Sequence, residues 1–301
     1  MRNMSSSPEG RVPLITHAHG LLRPRVLYVS DLDGTLLDPD SRVSDTSAEM
    51  LNQAIRHGAC FTVATARTPA TVVELLAHVE MRLPAVVMTG AALFHFEDRS
   101  FSRVCCFPPG VVERMTALYR RHDVATFIYT INADRLDVFH IGKLNPYEER
   151  FIAERCNSPV KRFHVPPHGE SELPATLDNT VLLFSVQPWE KAHALYREIK
   201  DSDIPCTPLC YHDAFGEDWG ELEMFGPQTS KAAAVESVAS DIGASRIVAF
   251  GDNVNDMPLF RLADEGIAVS NAIPELRELA SEVIGSNAED AVPRFILRHL
   301  K

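Results

Sequence analysis

Apolar positions along the chain follow two periods, and the period changes twice. Residues 25–30 (RVLYVS) are a short, nearly continuous apolar run, the pattern of a buried strand, and they lead straight into Asp31-Leu32-Asp33-Gly34-Thr35. Ser44 is placed to cap a helix in which Ala48, Leu51, Ala54 and Ile55 fall on one face, and Gly58 stops it. Residues 60–64 are a second β-rich run ending at Thr65-Ala66-Arg67, Pro69 suits the first turn of a helix reaching about position 78, and 84–88 is a third strand. Strands alternating with helices predict a parallel sheet flanked by helices.

Beyond about position 96 the segments become longer, more aromatic and mixed. The pattern predicts a helix over 111–121, strands at 126–129 and 136–140, a proline-rich loop at 165–167, a strand at 181–186, a helix over 189–200 and a strand at 221–225. From Ser230 the alternation resumes: a helix to about 239, a strand at 246–250, a helix near 257–262, a strand at 266–269, a helix over 274–280, a strand at 282–284, and a last helix from about 289. The expected organisation is a flexible extension at 1–24, a core built from 25–95 and 218–301, and an inserted α+β domain at 96–217.

Composition sharpens this outline. At 301 residues, 45% apolar and 23% charged, the chain is long enough for a sizeable core. Its net charge of -12 disfavours nucleic acid and anionic membranes as partners, so an anionic substrate would need a local cation. Six cysteines lack the paired spacing of a zinc site and read as reduced thiols of a cytosolic protein. No stretch has the length of a transmembrane helix, and the first 24 residues lack the apolar block of a signal peptide, so the expected location is cytoplasmic.

The candidate chemistry sits where strands end, which is where open α/β sheets bind ligands. Asp31 and Asp33 are close enough to repel, so a cation or a proton belongs between them, although an aspartate-rich turn reads the same way. Magnesium suits such an all-oxygen set; it would keep Asp31 ionised and nucleophilic, while Asp33 could donate a proton to the leaving oxygen. Asp252 follows a strand as Asp31 does, and Asn255 and Asp256 open the next helix, where simple capping is the alternative. Thr65 and the amides after it form an anion site. Lys231 starts a helix, against the helix dipole, which points to phosphate binding unless it is an ordinary surface lysine.

Taken together, these segments resemble the haloacid dehalogenase superfamily, specifically its Cof-like phosphatases with a type-C2 cap. Its first motif stands here as Asp31-Leu32-Asp33-Gly34-Thr35-Leu36-Leu37, its second as Ala64-Thr65-Ala66-Arg67, its lysine motif as Thr229-Ser230-Lys231 and its last as Gly251 to Asp256. The resemblance runs from about Arg25 to the C-terminus and is weakest in the middle. It implies a Rossmann-like parallel-sheet core with an α+β cap, and magnesium-dependent hydrolysis of small phosphate monoesters, sugar phosphates or related metabolites. Asp31 would be the nucleophile and Asp33 the acid, then the base. Asp31, the Asp33 carbonyl and Asp252 would hold Mg2+, with Asp256 supporting. Leu32, Thr65, the Ala66 amide, Lys231 and Asn255 would bind substrate. Two positions depart from the pattern: Ala66 replaces a glycine, tolerable if its φ is negative, and Thr89 replaces an asparagine. A phosphotransferase using the same intermediate, and a phosphate-binding module without turnover, are the alternatives. His140, Lys143, Asn145 and Tyr147 are candidate sugar contacts or simply a solvated loop.

Overall fold

The computed structural model describes residues 25–155, 157–213 and 216–300; the expected extension at 1–24 lies outside them. The first strand, β1 (Val26–Ser30), is followed by α1 (Asp45–Arg56), β2 (Cys60–Val63), α2 (Pro69–Leu75), and the short strands β3 (Ala85–Val87), β4 (Ala92–Phe94) and β5 (Phe101–Ser102). Next come α3 (Val111–Arg121), β6 (Thr126–Asn132), β7 (Arg135–Ile141), α4 (Pro146–Arg155), β8 (Asn157–Ser158), β9 (Lys161–Phe163), β10 (Thr180–Pro188), α5 (Trp189–Lys200), β11 (Thr207–Asp213) and β12 (Gly216–Phe225). The chain finishes with α6 (Lys231–Asp241), β13 (Arg246–Gly251), α7 (Met257–Leu262), β14 (Glu265–Val269), α8 (Pro274–Leu279), β15 (Glu282–Ile284) and α9 (Ala291–His299).

The core is a five-stranded sheet in the order β15-β14-β13-β1-β2, with every neighbouring pair parallel. An isolated parallel bridge between Ala64 and Val86 carries β3 alongside. Parallel strands are covered on both faces, so Leu27, Val29, Phe61, Val63, Ala249 and Phe250 are all buried. Ser44 caps α1 by accepting the Ser47 N–H, and α1 packs beside α9. The chain leaves β1 for β2 on one side, and β13 pairs on the other. The order therefore switches between β1 and β13, and a crevice opens beyond their carboxyl ends.

The second sheet has seven strands, β11-β12-β10-β6-β7-β9-β8, antiparallel except where β7 meets β9. Its two faces bury different things. Ile128, Phe139, Leu183, Leu222 and Met224 pack with α3 and α5 in a cluster of their own. Phe127, Tyr129, Val138, Phe184 and Phe225 point the other way and join the hydrophobic cluster of the parallel core. Two boundaries need correction. Strand β12 stays in this sheet to Phe225, past the expected limit at 217, and β5 pairs with β4 rather than entering the insert at 96. Among the described residues, no helix is long and apolar enough to cross a membrane, and Cys60, Cys105, Cys106, Cys206 and Cys210 are free thiols.

Candidate active site

Asp31 leaves the end of β1 as its amide donates to the Phe250 carbonyl of β13 (3.0 Å), which fixes the backbone at the crevice. Buried Leu32, Leu36 and Leu37 anchor the turn that follows. Gly34, at φ 73°, makes that turn possible, and a Cβ there would meet Asp252 Oδ2 at 2.5 Å. The missing side chain is what lets the Asp252 carboxylate close on the turn. Thr35 Oγ1 then donates to Asp252 Oδ1 (3.0 Å).

Lys231, only 3% exposed, joins the two strand ends. Its ammonium donates to Asp31 Oδ1 (2.6 Å) and to Asp256 Oδ1 (3.0 Å). The other Asp256 oxygen accepts from the amides of Asp252 (3.1 Å) and Asn253 (3.3 Å). Asp256 is thus consumed in orienting its neighbours. Ser230 caps α6 through its hydroxyl, which places Lys231 at the first turn despite the dipole cost.

Carboxylate oxygens of Asp31, Asp252 and Asp256 lie within 4.8 Å of one another. Three acids share one ammonium, and two of them, Asp31 and Asp252, have raised pKa values. Burial pushes the Asp31 carboxyl up to about 8; Lys231 works against this, and Asp256 and Asp252 add to it. Burial, followed by Asp256, raises Asp252 to about 6. Burial opposes the Lys231 charge, yet Asp31 and Asp256 drive its pKa above the ordinary lysine value. A further cation would balance the set. The all-oxygen donors fit magnesium, with Asp31 and Asp252 as the residues to hold it.

The Asp33 side chain stands apart from these three. It accepts from Arg67 Nε (2.8 Å) and from a second guanidinium nitrogen (2.6 Å), with about half of its side chain exposed. Thr65 is buried, and its hydroxyl accepts the Arg67 amide (3.1 Å). Ala66 is exposed, and its φ is not positive, so its methyl fits. Leu32 is fully buried, and Asn255 is exposed.

The grip of Arg67 on Asp33 was missed in the sequence; the only signal was its position two residues after Thr65. The role of Met88–Gly90 was missed as well. Met88, Thr89 and Gly90 all have positive φ (49°, 57° and 93°), and a Cβ on Gly90 would lie 2.3 Å from the Ser230 carbonyl oxygen. Amides of Met88 and Thr89 bond to the carbonyls of Arg67 and Thr65. This tight turn seats the loop at 65–67 against the start of α6. Three of the four candidate sugar contacts, His140, Asn145 and Tyr147, have partners within the protein, and Lys143 is exposed. His140 is buried with Nδ1 on the Gly169 carbonyl (2.6 Å), Asn145 caps α4 through bonds to the Tyr147 and Glu148 amides (2.9 Å each), and Tyr147 stacks on Trp219.

Residues 28–296 match the family model of haloacid dehalogenase-like hydrolases. The chain belongs to that family. Among its relatives is the 5-amino-6-(5-phospho-D-ribitylamino)uracil phosphatase of Bacillus subtilis, 24% identical, with 90% of this chain and 96% of that protein covered. The pyridoxal phosphate phosphatase of Escherichia coli is 23% identical over 90% of this chain and 97% of its own length. A haloacid dehalogenase-like hydrolase from Bacteroides thetaiotaomicron has the same fold, with TM-score 0.72 and 20% identity, covering 90% of this chain and 98% of that one. The expected family, its parallel-sheet fold and the phosphatase class all hold.

Proposed function

We propose that this phosphatase hydrolyses small phosphate monoesters through an aspartyl phosphate on Asp31. The observation that carries this reading is the buried Lys231 ammonium, bonded at once to Asp31 and Asp256 beside Asp252. Mg2+ bound by Asp31, the Asp33 carbonyl and Asp252 would supply positive charge to offset that of the phosphoryl oxygens.

A carboxylate oxygen of Asp31 attacks phosphorus, and the ester P–O bond breaks. Asp33 gives its proton to the leaving oxygen. Arg67 holds both Asp33 oxygens, so a proton-donating Asp33 has to release at least one of them. In the second half, Asp33 takes a proton from water, the water oxygen attacks phosphorus, and the Asp31–phosphorus bond breaks to give inorganic phosphate. Lys231 balances charge on the phosphoryl oxygens, and Thr65 and the Ala66 amide bind them. The seven-stranded sheet acts as the cap that encloses the leaving group. Relatives named for a ribitylaminouracil phosphate and for pyridoxal phosphate support small-metabolite substrates, sugar phosphates among them.

The test is release of inorganic phosphate from a panel of small esters, with Mg2+ and with excess chelator. The reading expects turnover with the metal, little with chelator, and none in Asp31→Asn. Turnover retained in chelator, or within roughly tenfold of wild type in Asp31→Asn, would overturn it.

A further inference from the structure

Among the described residues two lysines are buried, and the protein treats them in opposite ways. Lys231 donates to Asp31 and Asp256, and those acids keep it charged. Lys161, on β9 and 2% exposed, has no hydrogen-bond acceptor and no ion-pair partner among the described residues. Its ammonium lies over the Phe163 ring, 5.1 Å from the centroid. A ring face offsets only part of what burying an ammonium costs. Burial, with the charge of Arg155 adding to it, lowers the Lys161 pKa to about 8. The chain leaves this cation short of an anion.

The place where it sits can receive one. Lys161 and Phe163 line a cleft of about 740 Å³ at the β8–β9 end of the seven-stranded sheet. Arg135 and Arg162 line it as well, and no acid does among its described residues. Three cations without an acid run against a chain whose net charge is -12. Arg135 gives its Nε to Asp137 (3.1 Å), an acid that Asn132 and His164 also hold. Arg162 is exposed and has no ion-pair partner among the described residues. Ile152 of α4, Phe163 and Val165 add apolar wall. The volume is that of a small-molecule site and exceeds the needs of a bare anion. None of the residues assigned to phosphoryl transfer lines it.

We propose that this cleft is a second anion site, which binds a phosphorylated metabolite with its phosphate paired to Lys161 and its apolar body against Ile152, Phe163 and Val165. Arg135 and Arg162 supply further positive charge at the walls. The cleft holds its ligand without hydrolysing it, because it offers no carboxylate to attack phosphorus.

The experiment uses phenylphosphonate, a phosphate mimic with an aromatic body and no ester bond, and inorganic phosphate beside it. Wild-type protein is acetylated with acetic anhydride at about pH 8, and modification of Lys161 is followed by peptide mass spectrometry. Phenylphosphonate should slow acetylation of Lys161 by about tenfold or more, and inorganic phosphate should need roughly tenfold higher concentration for the same protection. Arg162→Gln, at an exposed position, should weaken the protection by roughly threefold or more. Both Arg162→Gln and Lys161→Met should keep kcat/KM for small esters within about threefold of wild type. Acetylation of Lys161 unaffected by phenylphosphonate at up to roughly 10 mM would overturn the proposal, as would protection unchanged in Arg162→Gln. Equal protection by the two probes would mean a site for inorganic phosphate alone and would remove the metabolite. A fall in kcat/KM of about tenfold or more in both variants would make the cleft part of the catalytic site and not a second one. The protection readout needs no turnover, so it stands or falls apart from the phosphatase reading.

Discussion

Two parts of the molecule handle their acids differently. At the ends of β1 and β13, Asp31, Asp252 and Asp256 sit where loops begin, and each has a partner within reach: an ammonium, a threonine hydroxyl or backbone amides. On β12, Glu223 emerges from the middle of a strand between Phe184 and Leu209, with the Tyr211 hydroxyl bonded to it. A strand end brings unpaired amides and a helix start with it, so negative charge there can be organised by the backbone. Mid-strand, the backbone is already spent on the ladder, and a buried carboxyl has to be matched by side chains or by a ligand. The first arrangement is the one proposed to carry the phosphoryl chemistry; the second is held by a neighbouring side chain.

This contrast can be broken at Lys231, where the largest effect is expected. Lys231→Ala leaves the three clustered acids without their ammonium. Loss of one such charge-stabilising donor should lower kcat/KM by roughly 10²–10³. The fold should also lose about 3–5 kcal/mol, as for a buried ion pair deprived of one partner. Steady-state kinetics and denaturant unfolding check the two numbers. A fall in kcat/KM below threefold would place Lys231 among ordinary structural lysines.

A much smaller effect sharpens the same contrast at backbone level. The catalytic end also relies on the strained turn at Met88–Gly90, in which Thr89 is β-branched and left-handed. Asparagine tolerates that region far better, so Thr89→Asn should raise stability by about 1 kcal/mol, read as an upward shift of the denaturant midpoint at unchanged slope. A lowered midpoint would mean that the Thr89 side chain contributes more than its backbone strain costs.

Legibility in the sequence follows the same division. The parallel core could be read because each strand is a compact apolar run closed by its chemical residues, so the segments around Asp31, Thr65 and Asp252 were placed correctly. Helices α3, α5 and α7 were also legible, from one-sided apolar spacing or from their flanking residues. Helix α4 was not: it buries a glutamate, Glu148, and presents few apolar positions. The pairs β8–β9 and β4–β5 are too short to leave a period. Arg67 on Asp33 and Gly90 against Ser230 are long-range contacts that only the fold creates. Glu223 was hidden because one acid in an apolar strand looks like the solvent side of an alternation until the register shows which face it takes.

The central claim is that Asp31 becomes covalently phosphorylated during turnover. The direct measurement is an acid quench of the enzyme with a radiolabelled phosphate ester and Mg2+, followed by proteolysis and peptide mapping. The account predicts an acid-stable, base-labile label on the peptide containing Asp31, chased into inorganic phosphate when unlabelled ester is added and missing from Asp31→Asn. Label on a different peptide, or rapid phosphate release from an enzyme that never carries label at Asp31, would contradict it.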